Sequence, residues 1–313
     1  MPAVLALPES KWPAFAERLA GFMAARRGPL STDERGVIGI IVGNRSAEWV
    51  DQTYWPEVLA HKYLSWMQIL ACHRPGSWRP TVRLVGKDHL DQALDGGRGA
   101  LLFTATFAYR DLMAKAAIAE AGFAISHLSM DSHGFSDSRF GKRWLNPIYT
   151  SVEERYLRER LVFSGDNTKE VSAKLRERLK QNAPVMITVT PLGRRVATLP
   201  FLGGQIHIAT GGLNFACEND TPVLPVFTLR QGGGVTATMV GSPLDQPAGA
   251  PRSERIGAML EDYVARLEVS VLDHPEQFSF PLSDRSGRPL LSRSSPAKAV
   301  MSGSGVQEPA FKM

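Results

Sequence analysis

From residue 81 onward, short apolar runs alternate with stretches in which apolar residues return every three or four positions. The runs are 84–85, 100–103, 123–129, 161–163, 184–189 and 223–229, and their length and β-branched content predict strands. Between them, 88–95, 109–120 and 209–218 read as helices, and Asn167 followed by Glu170 predicts a capping box that opens a helix to about Gln181. Gly232-Gly233-Gly234 turns the run 223–229 back into 235–240, which predicts a hairpin and an antiparallel edge. The strongest helical pattern, 253–272, sets Ile256, Met259, Leu260, Tyr263, Val264, Leu267 and Val271 on one face. Such alternation predicts an α/β fold with a mixed, mostly parallel central sheet flanked by helices.

The first 79 residues carry no strand pattern. Residues 9–27 predict an amphipathic helix with Ser10 as cap, Pro13 in its first turn and a stripe of Trp12, Phe15, Leu19, Phe22 and Met23. The stripe fits either packing on the core or an interfacial membrane helix. A second helical region, 47–71, is rich in aromatic residues (Trp49, Tyr54, Trp55, Tyr63, Trp66), with Pro56 interrupting or restarting it. Three parts result: a helical amino-terminal region, 1–79, packed on the core; an α/β domain, 80–280; and a Ser/Arg/Gly/Pro-rich tail, 281–313, expected to be disordered.

Composition narrows the partners. The chain has 313 residues and is 43% hydrophobic, enough for one substantial core. Two distant cysteines, Cys72 and Cys217, argue against a disulfide framework and fit a reducing compartment. The formal net charge is +5, of which the tail supplies a large part through Arg285, Arg288, Arg293, Lys298 and Lys312. The body is nearly balanced and lacks a basic face with interleaved aromatics, so a nucleic-acid partner is not expected. Neither CxxC nor HExxH spacing occurs, and no metal or other cofactor is expected. No run of 18 apolar residues is present, so the reading is a cytoplasmic protein, with peripheral contact at the inner face of the cell membrane as an open variant.

The chemistry-bearing stretch is 98–112, where the apolar run 100–103 breaks at Thr104-Ala105-Thr106 and restarts as a helical pattern near Tyr109. A strand feeding a helix through a tight turn places that turn at the carboxyl end of the sheet, where α/β proteins build their sites. Asp111 in the first helical turn is favoured by the dipole alone. His127 and His133 fall at the end of the next strand and in its loop, and His133 is the better candidate for a base.

The stretch Thr104-Ala105-Thr106-Phe107-Ala108-Tyr109-Arg110-Asp111-Leu112 resembles the lysophospholipid acyltransferase superfamily, in particular its lauroyl/myristoyl branch. There the turn reads Thr-Gly-His-Phe-Gly-Asn-Trp-Glu-Leu, with the His and the acid forming a catalytic dyad. The resemblance extends in order through Arg139-Phe140-Gly141, Leu199-Pro200-Phe201-Leu202-Gly203-Gly204, Thr221-Pro222-Val223-Leu224-Pro225-Val226-Phe227-Thr228-Leu229-Arg230 and His274-Pro275-Glu276-Gln277-Phe278, covering about 80–280. It implies transfer of a fatty acyl group from acyl-CoA or acyl carrier protein to a lipid or small-molecule hydroxyl or amine. Asp111 keeps the acid of the dyad, but Thr106 stands in place of the histidine. Threonine has no pKa near neutrality and cannot serve as a base. Two readings stay open: a remodelled acyltransferase using Asp111, Thr106 and His133, or an inactive relative that binds lipid or acyl carrier protein. Arg110, Arg139, Phe201, Gly203 and Arg230 are the substrate-side candidates. Arg194 and Arg195 either clamp a phosphate or form a solvated turn.

Overall fold

The computed structural model describes residues 7–74, 78–164, 166–279 and 289–293. In chain order its helices are α1 (Trp12–Arg27), α2 (Thr32–Val42), α3 (Trp55–Ala71), α4 (Lys87–Asp95), α5 (Met113–Glu120), α6 (Asn146–Glu153), α7 (Thr168–Lys180), α8 (Gly211–Asn219) and α9 (Arg252–Asp273). The strands are β1 (Val82–Val85), β2 (Ala100–Thr104), β3 (Ser126–Met130), β4 (Glu159–Phe163), β5 (Pro184–Thr188), β6 (Val196–Phe201), β7 (Gly204–Ala209), β8 (Val223–Arg230), β9 (Thr236–Val240) and β10 (Leu291–Arg293).

Among the described residues, seven strands make the central sheet in the order β1-β9-β8-β2-β5-β3-β4. Every neighbouring pair is parallel except β8 with β9. The fold is α/β, as the alternation predicts. β2 lies at the centre, all five residues buried, with Phe103 in register with Ile187 of β5 and Pro225 of β8. Its side chains alternate between faces. Leu101 and Phe103 enter the larger core beside α7, α8 and α9, while Ala100 and Leu102 enter a second core with Leu90 of α4 and Ile118 of α5. Gly99 enters β2 at φ +65°, and a Cβ there would lie 2.9 Å from Leu179 and Ala183 backbone atoms, so only glycine fits the approach.

The amino-terminal helices form a third layer. Trp12 of α1 and Leu64 and Met67 of α3 pack against Tyr109, Leu112, Met113 and Tyr149, which caps the carboxyl end of β2 with helix. On α1 the buried positions are Trp12, Ala16 and Ala20, whereas Phe22 and Met23 of the expected stripe are exposed. Small side chains let α1 sit close on α3, so the buried face runs through the alanines. Lys11, not Ser10, precedes α1. Residues 47–71 form one continuous helical run, with a π turn at Val50–Tyr54 that ends where Pro56 enters the first turn of α3.

Other expectations are corrected. β9 is not an edge, because β1 pairs alongside it. Asn167 does not cap α7; its side chain accepts from the Ser164 amide and donates to the Val162 carbonyl. Helix α2, opened by a capping box of Ser31 and Glu34, and the hairpin β6–β7 were not expected. The tail expected to be disordered contains β10, which pairs antiparallel with β7 and buries Leu290 and Leu291; 281–288 and 294–313 lie outside the described residues. An apolar pair inside a polar composition was enough to seat it.

Candidate active site

The chain leaves β2 toward β3 and leaves β8 toward β9, in opposite directions across the sheet. The carboxyl ends of β2 and β8, neighbours in the sheet, lie where the two directions part. The turn after β2 is held there by the backbone. The Ala105 amide donates to Val226 of β8, the Ala108 amide to Gln277, and the Thr106 carbonyl accepts from Ser279 at 2.7 Å. Gln277 also grips Arg230, accepting from its amide at 2.8 Å and donating to its carbonyl at 3.0 Å. The closing His274–Phe278 block is therefore a strap joining the ends of β2 and β8.

Asp111 is not in the first turn of its helix. Residues 109–112 form turns, α5 begins at Met113, and the dipole account of this acid fails. Its carboxylate instead accepts from Tyr149 Oη at 2.9 Å and lies 3.5 Å from Arg110 Nε. Burial works against its charge, but Arg110, His133 and Lys115, with the Tyr149 hydrogen bond, more than offset that and hold the carboxyl well below its ordinary value.

Beside it lies a pairing that the sequence did not reveal. His133 Nε2 is 2.8 Å from Glu153 Oε2, and Lys115 Nζ is 2.8 Å from Glu153 Oε1. Glu153 is fully buried and Lys115 is 1% exposed, while the His133 side chain keeps 17% exposure. His133 Nδ1 makes no hydrogen bond with the described residues. β3 does not neighbour β2, since β5 lies between them, yet the loop after β3 brings His133 to Asp111. His127 is the second residue of β3 rather than at its end; it is 2% exposed, with Nδ1 unpartnered. Burial, then the Lys115 charge, push its pKa well below the ordinary value, so it stays neutral.

One ligand atom each from Asp111, His133 and Glu153 lie within 4.8 Å of one another. The spacing would suit a cation, but Lys115 and Arg110 already match the two carboxylates. A divalent ion would add uncompensated charge to a buried network that is neutral without it.

The remaining predicted residues scatter. The Thr106 hydroxyl is buried with no partner, so no base stands ready to activate it. Arg110 Nη1 donates to the Phe107 carbonyl at 3.2 Å, and this arginine is spent on the protein itself. Phe201 is a fully buried core residue against Phe278, and Gly203 is an exposed hairpin-turn residue, so neither lines a site. Gly204 carries the steric constraint of that motif, because a Cβ there would lie 2.7 Å from Ile40 and from the Ser292 carbonyl. Arg194 and Arg195 are exposed on the connection from β5 to β6. Arg139 is exposed in the segment that also presents Phe140 and Trp144 at 65% and 59% exposure.

Arg230, at the carboxyl end of β8, is the predicted arginine that meets a cavity. About 380 Å³ of space lies between this residue, the Gly233-Gly234 turn, and the faces of α1 and α3 that carry Trp12, Leu64 and Gln68. Gln68 also borders a seam beside Asp111, Tyr109 and Tyr149 that is too tight to hold a water molecule. No known family model and no curated protein matches the chain. No described helix is long and apolar enough to cross a membrane.

Proposed function

We propose that this protein is a remodelled acyltransferase of the lysophospholipid acyltransferase type, in which His133, oriented by Glu153, replaces the histidine absent at Thr106. The observation that carries the reading is the 2.8 Å contact between His133 Nε2 and the buried Glu153 carboxylate, beside Asp111 at the carboxyl end of the sheet. A carboxylate on one ring nitrogen fixes the tautomer and leaves Nδ1 as the basic lone pair. An acceptor hydroxyl or amine gives its proton to Nδ1 while its oxygen or nitrogen forms the bond to the acyl carbon. The thioester C–S bond breaks, and the departing thiolate takes the proton from the imidazolium. Asp111, paired to Arg110 and Tyr149, positions the loop rather than the base.

Donor and location follow the same reading: acyl-CoA or acyl carrier protein as donor, in the cytoplasm or peripherally at the inner face of the membrane. Exposed Phe140 and Trp144, flanked by Arg139, Lys142 and Arg143, support contact with an anionic surface of that kind. The pairing of Asp111 with Arg110 and Tyr149 favours a second reading, a binding module without turnover. Thioester cleavage with acyl-CoA and acyl carrier protein donors decides between them. His133→Ala is expected to lower the rate by about 10²- to 10⁴-fold, the usual cost of a lost general base. Unchanged turnover in His133→Ala overturns the role given to His133, and donor binding with no cleavage by the wild type establishes the binding module.

A further inference from the structure

Beyond the carboxyl end of β8, where ligands of α/β sheets commonly sit, three separate elements meet around about 380 Å³ of open space. The first is β8 itself. Its last residue, Arg230, has its amide and carbonyl clamped by Gln277, while its guanidinium makes no hydrogen bond or ion pair with the described residues. Burial lowers the His61 pKa and the Arg230 charge lowers it further, as an uncompensated cation nearby does. The second element is the glycine turn that follows. Gly233 and Gly234 have φ of 73° and 83°, and their amides donate to no described carbonyl. A Cβ built on either would meet nothing within 4 Å, so a ligand can come against bare backbone. The third element is the start of α1, where Glu9, Ser10, Trp12 and Pro13 border the space. A helix of 16 residues carries positive potential at this end. Ser10 adds a hydroxyl with no described partner, and Glu9, the one anion on the described lining, pairs with nothing described.

We infer that this cavity is a binding site for a terminal phosphate group, borne by an organic monoester or free in solution. Arg230 supplies the guanidinium fork, Gly233 and Gly234 supply main-chain amides, and Ser10 at the positive end of α1 supplies a hydroxyl. Arginine and bare turn backbone both favour phosphate. A carboxylate presents two oxygens in one plane. A terminal phosphate spreads three over a hemisphere, which suits donors arriving from three elements. The space exceeds what a phosphate ion fills, so a small organic group fits beside it next to Trp12, Pro13 and Leu64. His133 lines none of this space, and the site stands apart from acyl transfer.

The test is calorimetric titration of the full chain near neutral pH with inorganic phosphate, phenyl phosphate and, as the planar control, benzoate. Phenyl phosphate is expected to bind saturably and at least about tenfold more tightly than benzoate, the yield of one hydrogen bond to a charged group. Phenyl phosphate ahead of inorganic phosphate makes the ligand an ester; inorganic phosphate equal or ahead makes it the free ion, and both orders uphold the site. Arg230→Met should weaken binding at least about tenfold, whereas Glu9→Gln should hold or tighten it. The comparison of ligands on the unmodified protein stands even if a variant fails to fold. No saturable binding of either phosphate, benzoate as tight as phenyl phosphate, or unchanged affinity in folded Arg230→Met overturns the assignment. Weaker binding in folded Glu9→Gln overturns it too, since a carboxylate would then be helping to hold the ligand. Phosphate binding without thioester cleavage upholds the site while overturning acyl transfer, and cleavage without phosphate binding overturns the site alone.

Discussion

Glu153→Gln tests the buried network directly. Glu153 is fully buried between Lys115, itself 1% exposed, and His133, at 2.8 Å from each. The neutral amide keeps the shape of the side chain but leaves the Lys115 ammonium uncompensated in a dry site. Breaking a buried pair in this way costs about 3–5 kcal/mol. With an unfolding entropy of about 2.1 cal/mol/K per residue, a chain of 313 residues changes stability by about 0.7 kcal/mol per degree near its midpoint. The expected loss in Tm is therefore about 5–8 °C, read by calorimetry or circular dichroism at neutral pH. Adding Lys115→Met to the variant should recover most of it, because the orphaned charge then disappears and an apolar side chain fills its space. A Tm within a degree of the parent for Glu153→Gln, or no recovery in the double variant, would refute the reasoning, since Lys115 would then be reaching water or another anion.

His61 offers a pH test. Burial, then the charges of Arg230 and His274, lower its pKa from 6.5 to about 4, while its Nδ1 lies 2.8 Å from Tyr109 Oη. The unfolded chain takes up this proton first, so the contribution is whole above about pH 6.5 and drains away as pH falls toward 4, by about 3 kcal/mol in all. His61→Gln should flatten Tm against pH across that window, and an unchanged slope would show that other groups set it. Thr106→Ala should leave thioester turnover within about twofold, because the hydroxyl has no partner and no base to activate it; a hundredfold loss would make Thr106 the nucleophile. Leu291→Ala should cost about 2–5 kcal/mol in urea unfolding, the range for truncating a buried leucine, since Leu291 is 1% exposed. A cost below about 0.5 kcal/mol, the level of an ordinary surface substitution, would show that β10 adds no stability.

The central sheet was legible because buried parallel strands must be continuous apolar runs, and 100–103, 184–189 and 223–229 are such runs. The hairpin β6–β7 was hidden by its chemistry: Pro200 sits within a strand, Leu202 adopts φ 50° at the turn, and the exposed positions are polar. Helix α2 carries its own signal in Ser31 and Glu34 at capping-box spacing. At the site, Asp111 and His133 could be named because they lie near strand ends. Glu153 could not, since its pairing with His133 depends on how α6 folds back over α5. Lys115 left a trace, as a lone cation inside the apolar stretch Met113-Ala114-Lys115-Ala116-Ala117-Ile118. Neither composition nor spacing says that a surface such as the Arg230 cavity will be roofed by α1 and α3.

The three-stranded sheet has an order of arrival built into it. β7 is made early and pairs on one side with β6, but its other side waits for Leu291–Arg293. Helix α2, made earlier still, packs against β10 as well. While the ribosome is adding the intervening residues, β7 presents an open row of amides and carbonyls next to Ile206 and Ile208, which are fully buried in the finished molecule. Such an edge invites pairing with other nascent chains. Arrival of the Leu291–Arg293 segment, more than formation of the central sheet, is thus the moment at which this protein ceases to be sticky.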